Sequence, residues 1–326
     1  MLQNIIFVIL GLAGLYYGGD WLVTGSSRIA LSLKMPPLII GLTLVAIGTS
    51  APELFVSVTA ALQGSEGLAL GNVIGSNIAN VGLILGVTGI ITVVTVHETL
   101  IKREIPILLG VTIFATILIL DGVLTRFDGI LLLLGFVGFN IFFYYLATSD
   151  PAEEARVLEE LEISEEEAKK KRDEISLWAE AGRIAVGVTL LIVGARLMVI
   201  GATNLALALG VSELIIGVTM VAFGTSLPEL ATSLTAVFRR ENDIAVGNII
   251  GSNIANLLLV LGATAAVTNI DVVNETSLSA IEYIVMLLFS FMLLPFARNR
   301  SLSRFESAIF LGAYLAFIAY SFFLST

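Results

Sequence analysis

Ten apolar runs, each about long enough to cross a lipid bilayer, fill almost the whole chain. They fall at residues 3–25, 37–62, 69–94, 104–121, 128–148, 178–202, 213–238, 244–269, 279–297 and 304–324. A membrane-spanning helix needs roughly 20 such residues. In hydrocarbon every backbone polar group must be satisfied inside the protein, and for runs of this length a helix does so. The expected fold class is therefore an all-α polytopic membrane protein with ten transmembrane helices. Only 13% of the residues are charged, about half the share usual in soluble domains. The first run, MLQNIIFVILGLAGLYYGG, lacks the basic start and small-residue cleavage site of a signal peptide, and reads as the first span. With no cysteine, disulfides and thiolate chemistry are excluded.

The chain is also duplicated. GLTLVAIGTSAPELFVS (41–57) aligns without gaps on GVTMVAFGTSLPELATS (217–233), and GNVIGSNIAN (71–80) on GNIIGSNIAN (247–256), both at an offset of 176. Downstream, TRFDG (125–129) resembles SRFES (303–307) at an offset of 178. Residues 1–148 are thus one five-helix repeat and 178–326 the second. The segment 149–177 between them is an acidic connector. Its residues 149–176 hold 11 acidic and 5 basic side chains and so carry most of the net charge of −10. It lacks the Asp/Asn/Gly pattern of a calcium loop and reads as solvated chain, with no surface for nucleic acid.

Orientation follows from the basic residues. With the N-terminus outside, 15 of the 17 fall in cytoplasmic connections, leaving only Arg126 and Arg196 outside. Both termini then lie outside and the connector is cytoplasmic. Five spans per repeat is odd, so the second repeat is inverted. Inverted repeats place a shared site near the bilayer midplane, at interrupted helices.

The duplicated strings carry the chemistry for such a site. Ala46, Thr49, Ser50 and Glu53 lie at i, i+3, i+4 and i+7, on one helical face. Pro52 has no N–H, and its ring clashes with the carbonyl of residue 48, so a kink is expected around Gly48–Pro52. The kink frees carbonyl oxygens, tolerable at membrane depth only where they face protein or a cavity. Ala222, Thr225, Ser226, Pro228 and Glu229 repeat the arrangement. Ser76 and Asn80 are four apart, as are Ser252 and Asn256. All these groups offer oxygen, which suits hard cations such as Ca²⁺. The two carboxylates balance one Ca²⁺, and the neutral oxygens suit Na⁺. No cysteine or histidine is near, against zinc, copper or iron. The lone His97 is assigned to a loop. A carboxylate in mid-span is costly and functional by default. The paired glycines Gly41, Gly48, Gly71 and Gly75, with Gly217, Gly224, Gly247 and Gly251, are read as close helix packing. Asn72, Asn77, Asn248 and Asn253 are read as groups that cap or cross-link helices. Asp20 and Arg196 occupy equivalent positions with opposite charge and are read as interface anchors.

GTSAPEL with GNVIGSNIAN, and GTSLPEL with GNIIGSNIAN, resemble the two α-repeats of the calcium/cation antiporter superfamily, above all prokaryotic sodium/calcium exchangers. The resemblance covers both halves and leaves out only the connector. It implies ten helices in inverted repeats that move Ca²⁺ outward against Na⁺. It further implies that Glu53 and Glu229 ligate both ions and that Thr49 and Thr225 offer oxygen to Ca²⁺. Ala46, Ser50 and Ser76, with Ala222, Ser226 and Ser252, would complete sodium sites, and Asn80 and Asn256 would close the ring. Some relatives have aspartate at the Asn256 position; asparagine in both repeats removes a charge and weighs against K⁺ co-transport.

The expected function is therefore secondary Ca²⁺/Na⁺ antiport by alternating access, with H⁺/Ca²⁺ antiport as the alternative. The first and sixth helices are candidates for the sliding element. No enzyme is expected: an intramembrane hydrolase would need a nucleophile arrangement that is not recognisable here. A channel is a third reading, marked by large uncoupled currents. No cofactor is expected beyond the transported Ca²⁺ and Na⁺. The expected partners are inorganic cations and the lipid bilayer of the plasma membrane; the oligomeric state is left open, with a monomer expected to suffice for function.

Overall fold

Helix α1 (Leu2–Leu33) ends where Lys34 takes a left-handed conformation and its backbone N–H turns back to Ala30 and Leu31. Pro36 and Pro37, which lack N–H groups, then begin the second span, where helix starts tolerate them. The protein is described here from a computed structural model covering residues 1–95, 98–149, 172, 174–209, 224–272, 280–297 and 300–325. His97, Gly217, Ala222, most of the acidic connector and the first part of the seventh span lie outside these described residues.

The second span comprises α2 (Pro37–Ile40), a π-helical turn (Gly41–Val45), α3 (Ala46–Thr49) and α4 (Ala51–Leu62). The third is α5 (Glu66–Ala79), a π-helical turn (Asn80–Leu85) and α6 (Gly86–Ile91), followed by β1 (Val94–Thr95). The fourth opens with a π-helical turn (Leu100–Glu104) and continues as α7 (Ile105–Ile119), followed by β2 (Val123–Leu124) and α8 (Arg126–Ser149). The second half contains α9 (Leu177–Ala208) and α10 (Leu227–Phe238). Its eighth span is α11 (Asn242–Ala255), a π-helical turn (Asn256–Val260) and α12 (Leu261–Val267). Then come β3 (Ile270–Asp271), α13 (Ala280–Ala297), β4 (Ser301–Leu302) and α14 (Arg304–Ser325).

The short strands display the inversion. Strand β1 pairs antiparallel with β4, Val94 opposite Leu302, and β2 pairs with β3, Leu124 opposite Ile270. The repeat offset of 176 carries β1 onto β3, and that of 178 carries β2 onto β4. Each ladder is therefore the image of the other. One joins the connections after the third and ninth spans, the other those after the fourth and eighth. A chain that changes face at every span puts them on opposite faces, as two inverted repeats require.

Burial separates a core from a lipid-facing shell. In the eighth span 94% of the most apolar window is buried, and in the third 72%, against 28% in α1 and 33% in α9. Exposed apolar residues such as Phe55, Phe127 and Leu134 face outward, where hydrocarbon replaces protein contact. Within the core, the second and eighth spans cross at glycines. A Cβ on Gly251 would come within 2.4 Å of the Leu42 carbonyl oxygen, and one on Gly41 within 2.9 Å of the Ile244 carbonyl oxygen. Packing is thus the role of Gly41 and Gly251.

Helices α1 and α9 run antiparallel at similar closeness. A Cβ on Gly18 would sit 2.7 Å from the Leu191 nitrogen, and one on Gly187 2.8 Å from the Leu22 nitrogen. Both helices have 32 residues and overrun the apolar runs at 3–25 and 178–202. For α1 the reason is polar: beyond its apolar run, it is held to the start of α9 by the ion pair of Arg28 with buried Glu180, at 2.9 Å.

Candidate functional site

The kink falls where the proline places it. Helix α3 ends at Thr49, α4 begins at Ala51, and the axes differ by 44° across Ser50. Ser50, at φ −79° and ψ 5°, leaves the helical path so that Pro52 sits in the first turn of α4, where its missing N–H costs nothing. Ser226 does the same before α10, at φ −84° and ψ 1°, with Pro228 in the equivalent place. Each break lifts a glutamate into the first helical turn behind it, Glu53 in α4 and Glu229 in α10.

Both glutamates are fully buried. The hydroxyls of Thr225 and Ser76 approach the Glu53 carboxylate, and those of Thr49 and Ser50 approach Glu229. Ser50 Oγ donates to Glu229 Oε1 at 3.3 Å, across the repeat interface. The two carboxylates are close enough to repel each other. Among the described residues, both carboxylate oxygens of Glu53 and Oε2 of Glu229 have no hydrogen-bond partner, nor have Ser76 Oγ, Ser226 Oγ, Asn80 Oδ1 and both amide atoms of Asn256. Buried polar atoms without partners are rare and costly, and a pair of buried like charges more so. Oxygen atoms of this kind are the ligands that hard cations take.

The neutral groups converge on the same place. Thr49 Oγ1 lies 3.0 Å from Asn248 Oδ1 and 3.2 Å from Ser252 Oγ. Thr225 Oγ1 donates to Asn72 Oδ1 at 3.2 Å. Asn80 Nδ2 donates to Asn253 Oδ1 at 3.1 Å, so Asn253 cross-links the repeats while Asn77 returns to its own helix at Val73 O, 2.8 Å away. Ala46 is buried, its carbonyl taking the Ser50 N–H at 2.9 Å. The structure thus brings together Ala46, Thr49, Ser50, Glu53, Ser76, Thr225, Glu229 and Ser252, and buries Asn80, Ser226 and Asn256 as well. The π-helical turns beginning at Asn80 and Asn256 widen the helix at these two residues, a distortion frequent at functional sites.

Asn72 and Asn248 were read from the sequence as groups that cap or cross-link helices, but the serines that hold them were not singled out. Asn72 and Asn248 join the repeats, each accepting the hydroxyl of the opposite half's threonine. Ser57 and Ser233 hold those asparagines, at 2.9 and 3.1 Å. The signal was present: both serines lie inside the aligned strings at the common offset, four residues after each glutamate.

Two crevices flank the site. One, of about 740 Å³, is lined by Ala51, Pro52 and Phe55 of α4, Arg196 and Val199 of α9, and Thr225. The other, of about 590 Å³, is lined by Tyr16 and Asp20 of α1 and by Leu227, Ala231 and Arg239 at α10. Ala51 and Leu227, Phe55 and Ala231, and Arg196 and Asp20 are repeat mates, so the crevices are images of one another and approach from opposite faces. Asp20 forms an ion pair with Arg239, the anchoring expected of it. Arg196 lines its crevice with no ion pair among the described residues.

Comparison with known proteins places this arrangement. The family model described as "Sodium/calcium exchanger protein" matches residues 3–145 and 180–323. The inner membrane protein YrbG of Escherichia coli (strain K12) is 38% identical, over 100% of this chain and 98% of that protein. The sodium/calcium exchanger MaX1 of Methanosarcina acetivorans is 46% identical over 101 residues, 31% of this chain and 29% of that protein. The solved structure of the sodium-calcium exchanger NCX_Mj soaked with 2.5 mM Na⁺ and 10 mM Sr²⁺ has a TM-score of 0.82 at 34% identity, covering 98% of each chain.

Proposed function

The chain belongs to the sodium/calcium exchanger protein family, whose members are integral-membrane cation antiporters, and we propose that it exchanges Ca²⁺ for Na⁺ by alternating access. One observation carries this reading: two fully buried glutamates from inverted halves meet amid neutral oxygens, with most of their carboxylate oxygens unpartnered among the described residues. Two carboxylates match the charge of one Ca²⁺, which takes six to eight oxygen ligands. Glu53, Glu229, Thr49 and Thr225 serve Ca²⁺. The same glutamates, with Ala46, Ser50, Ser76, Ala222, Ser226 and Ser252, serve Na⁺, and Asn80 and Asn256 close the ring. Because the ions share the glutamates, they exclude one another, and that exclusion couples the fluxes. The two crevices are the routes to the site, opened in turn as α1 and α9 move together along the face of the buried core. The protein lies in the cell membrane with both termini outside, and its connector is cytoplasmic.

The test is Ca²⁺ uptake into proteoliposomes under Na⁺, H⁺ and K⁺ gradients in turn. An opposing Na⁺ gradient is expected to drive uptake, and K⁺ to leave it unchanged. Uptake driven by a proton gradient alone would replace this reading with H⁺/Ca²⁺ exchange, which the same carboxylates could serve.

A further inference from the structure

We infer that Ser57 and Ser233 are positioning residues that prepare the opposite repeat's threonine to receive a cation. The inference rests on the cation-binding reading of the site. It concerns two serines that touch neither carboxylate in the structure, but act through Asn72 and Asn248.

A side-chain amide offers an acceptor at one end and two donors at the other, and its orientation is set by its neighbours. Asn72 points its amide nitrogen at Ser57 Oγ, 2.9 Å away, and at the Glu53 carbonyl oxygen, 3.4 Å away. The carbonyl can only accept, so it selects this orientation, and the serine hydroxyl, which can donate or accept, takes the other amide N–H. Asn72 Oδ1 is thereby turned to Thr225 and accepts its hydroxyl at 3.2 Å. The arrangement recurs in the other half. Asn248 directs its nitrogen at Ser233 Oγ (3.1 Å) and the Glu229 carbonyl (3.4 Å), and its Oδ1 lies 3.0 Å from Thr49 Oγ1. All the side chains in both chains of contact are buried.

The consequence lies in the threonine. A hydroxyl carries one proton and two lone pairs. Thr49 Oγ1 also lies 3.3 Å from the Ala46 carbonyl oxygen of its own helix and 3.2 Å from Ser252 Oγ; with the proton on the shorter contact to the asparagine oxygen, a lone pair can turn to a cation. Were the amide reversed, its N–H would occupy a threonine lone pair and drive the hydroxyl proton elsewhere. The carbonyl contacts at 3.4 Å are long for hydrogen bonds, so the carbonyl sets the sense of each amide while the shorter serine contact holds it in place. Each serine therefore acts across the repeat boundary: Ser57 of the first half sets Thr225 of the second, and Ser233 sets Thr49.

The experiment measures ⁴⁵Ca²⁺ binding to the purified full-length protein and the KM and kcat of exchange. Variants are Ser57→Ala, Ser233→Ala, the rescue variants Ser57→Thr and Ser233→Thr, and each alanine variant combined with Thr225→Ala or Thr49→Ala. Loss of a group that orients a metal ligand typically costs on the order of tenfold or more in affinity. Ser57→Ala is expected to weaken Ca²⁺ binding about tenfold and to raise KM more than it lowers kcat, with threonine restoring most of the loss. In the Thr225→Ala background Ser57→Ala should have little further effect, while in the Thr49→Ala background its effect should persist; Ser233→Ala should show the reverse. Unchanged Ca²⁺ affinity in both alanine variants would overturn the inference, as would effects independent of which threonine is already lost. Thermal unfolding of each variant separates misfolding from mispositioning, and if the alanine variants do not fold, Ser57→Cys and Ser233→Cys, whose thiols are weaker acceptors, carry the same cross-repeat test in the Thr49→Ala and Thr225→Ala backgrounds. Wild-type protein that binds no Ca²⁺ would instead fail the cation-site reading itself, a distinguishable outcome.

Discussion

At its centre the molecule is nearly symmetric, and at its two crevices it is not. Around the glutamates the duplicated residues make duplicated contacts: Thr49 with Asn248 and Ser233, Thr225 with Asn72 and Ser57. At the crevice between α1 and α10, the wall is clasped by the Asp20–Arg239 ion pair and by Ser27 Oγ donating to Glu241 Oε1 at 2.8 Å. The repeat mates of those residues are Arg196, Gln63, Thr203 and Ser65, which offer no ion pair of this kind. Ligation of one ion by two inverted halves needs equal chemistry from each. Under the proposed alternating access, two routes that open in turn would gain from being held unequally.

The centre is where breakage should be greatest. Glu53→Gln and Glu229→Gln each remove one of the two buried negative charges and leave a bound Ca²⁺ only half compensated. Disrupting such a buried charge set costs about 3–5 kcal/mol, so Ca²⁺ uptake should fall more than about a hundredfold in either variant. Equal losses would sharpen the symmetry, whereas retained wild-type uptake in one would break it.

The seam between centre and crevices comes next. Gly18→Val places side-chain atoms against the α9 backbone, and overpacking of this kind costs about 1–3 kcal/mol. Thermal unfolding should fall accordingly and exchange with it. Gly182→Val, on the same pair of helices but with nothing within 4 Å of its Cβ position, should change neither.

The clasp is a weaker device. Asp20 and Arg239 are partly exposed, and such pairs contribute about 1 kcal/mol at most. Asp20→Asn should therefore shift the balance between the two access states by no more than about fivefold. The chain has no cysteine, so a single Leu234→Cys reporter in the clasped crevice can read this as faster thiol labelling. The exchanged pair Asp20→Arg with Arg239→Asp should restore the slow rate.

The smallest effect concerns pH. Burial pushes the Glu241 carboxyl above its ordinary range; Ser27 opposes that push, Asp243 adds to it and Arg239 opposes it. A carboxyl with a raised folded-state pKa contributes most stability below its ordinary value, and that contribution is lost as pH rises through the raised one. The clasp should thus loosen from acidic toward neutral pH. Labelling at Leu234→Cys should show this slope, and Glu241→Gln should flatten it.

Much of this was legible in the chain itself. The kink was readable because Pro52 cannot continue a helix without freeing the carbonyl before it, and the shared site because an offset of 176 recurs over two motifs. The inversion followed from an odd number of spans. What stayed hidden depends on superposing the halves. No local rule makes Asn72 reach Thr225 at a separation of 153 residues, and nothing in NVGLIL or NLLLV marks a π-helical turn. The length of α1 was underestimated because hydropathy marks where lipid ends, whereas the helix continues through polar residues, among them Arg28, which is held by Glu180.

The central claim is that Ca²⁺ and Na⁺ compete for one pair of glutamates. Its most direct test is equilibrium ⁴⁵Ca²⁺ binding to the purified protein across a series of Na⁺ concentrations at constant ionic strength. Apparent Ca²⁺ affinity should fall steadily as Na⁺ rises, with full occupancy recovered at high Ca²⁺. Ca²⁺ binding that is indifferent to Na⁺ would contradict the account.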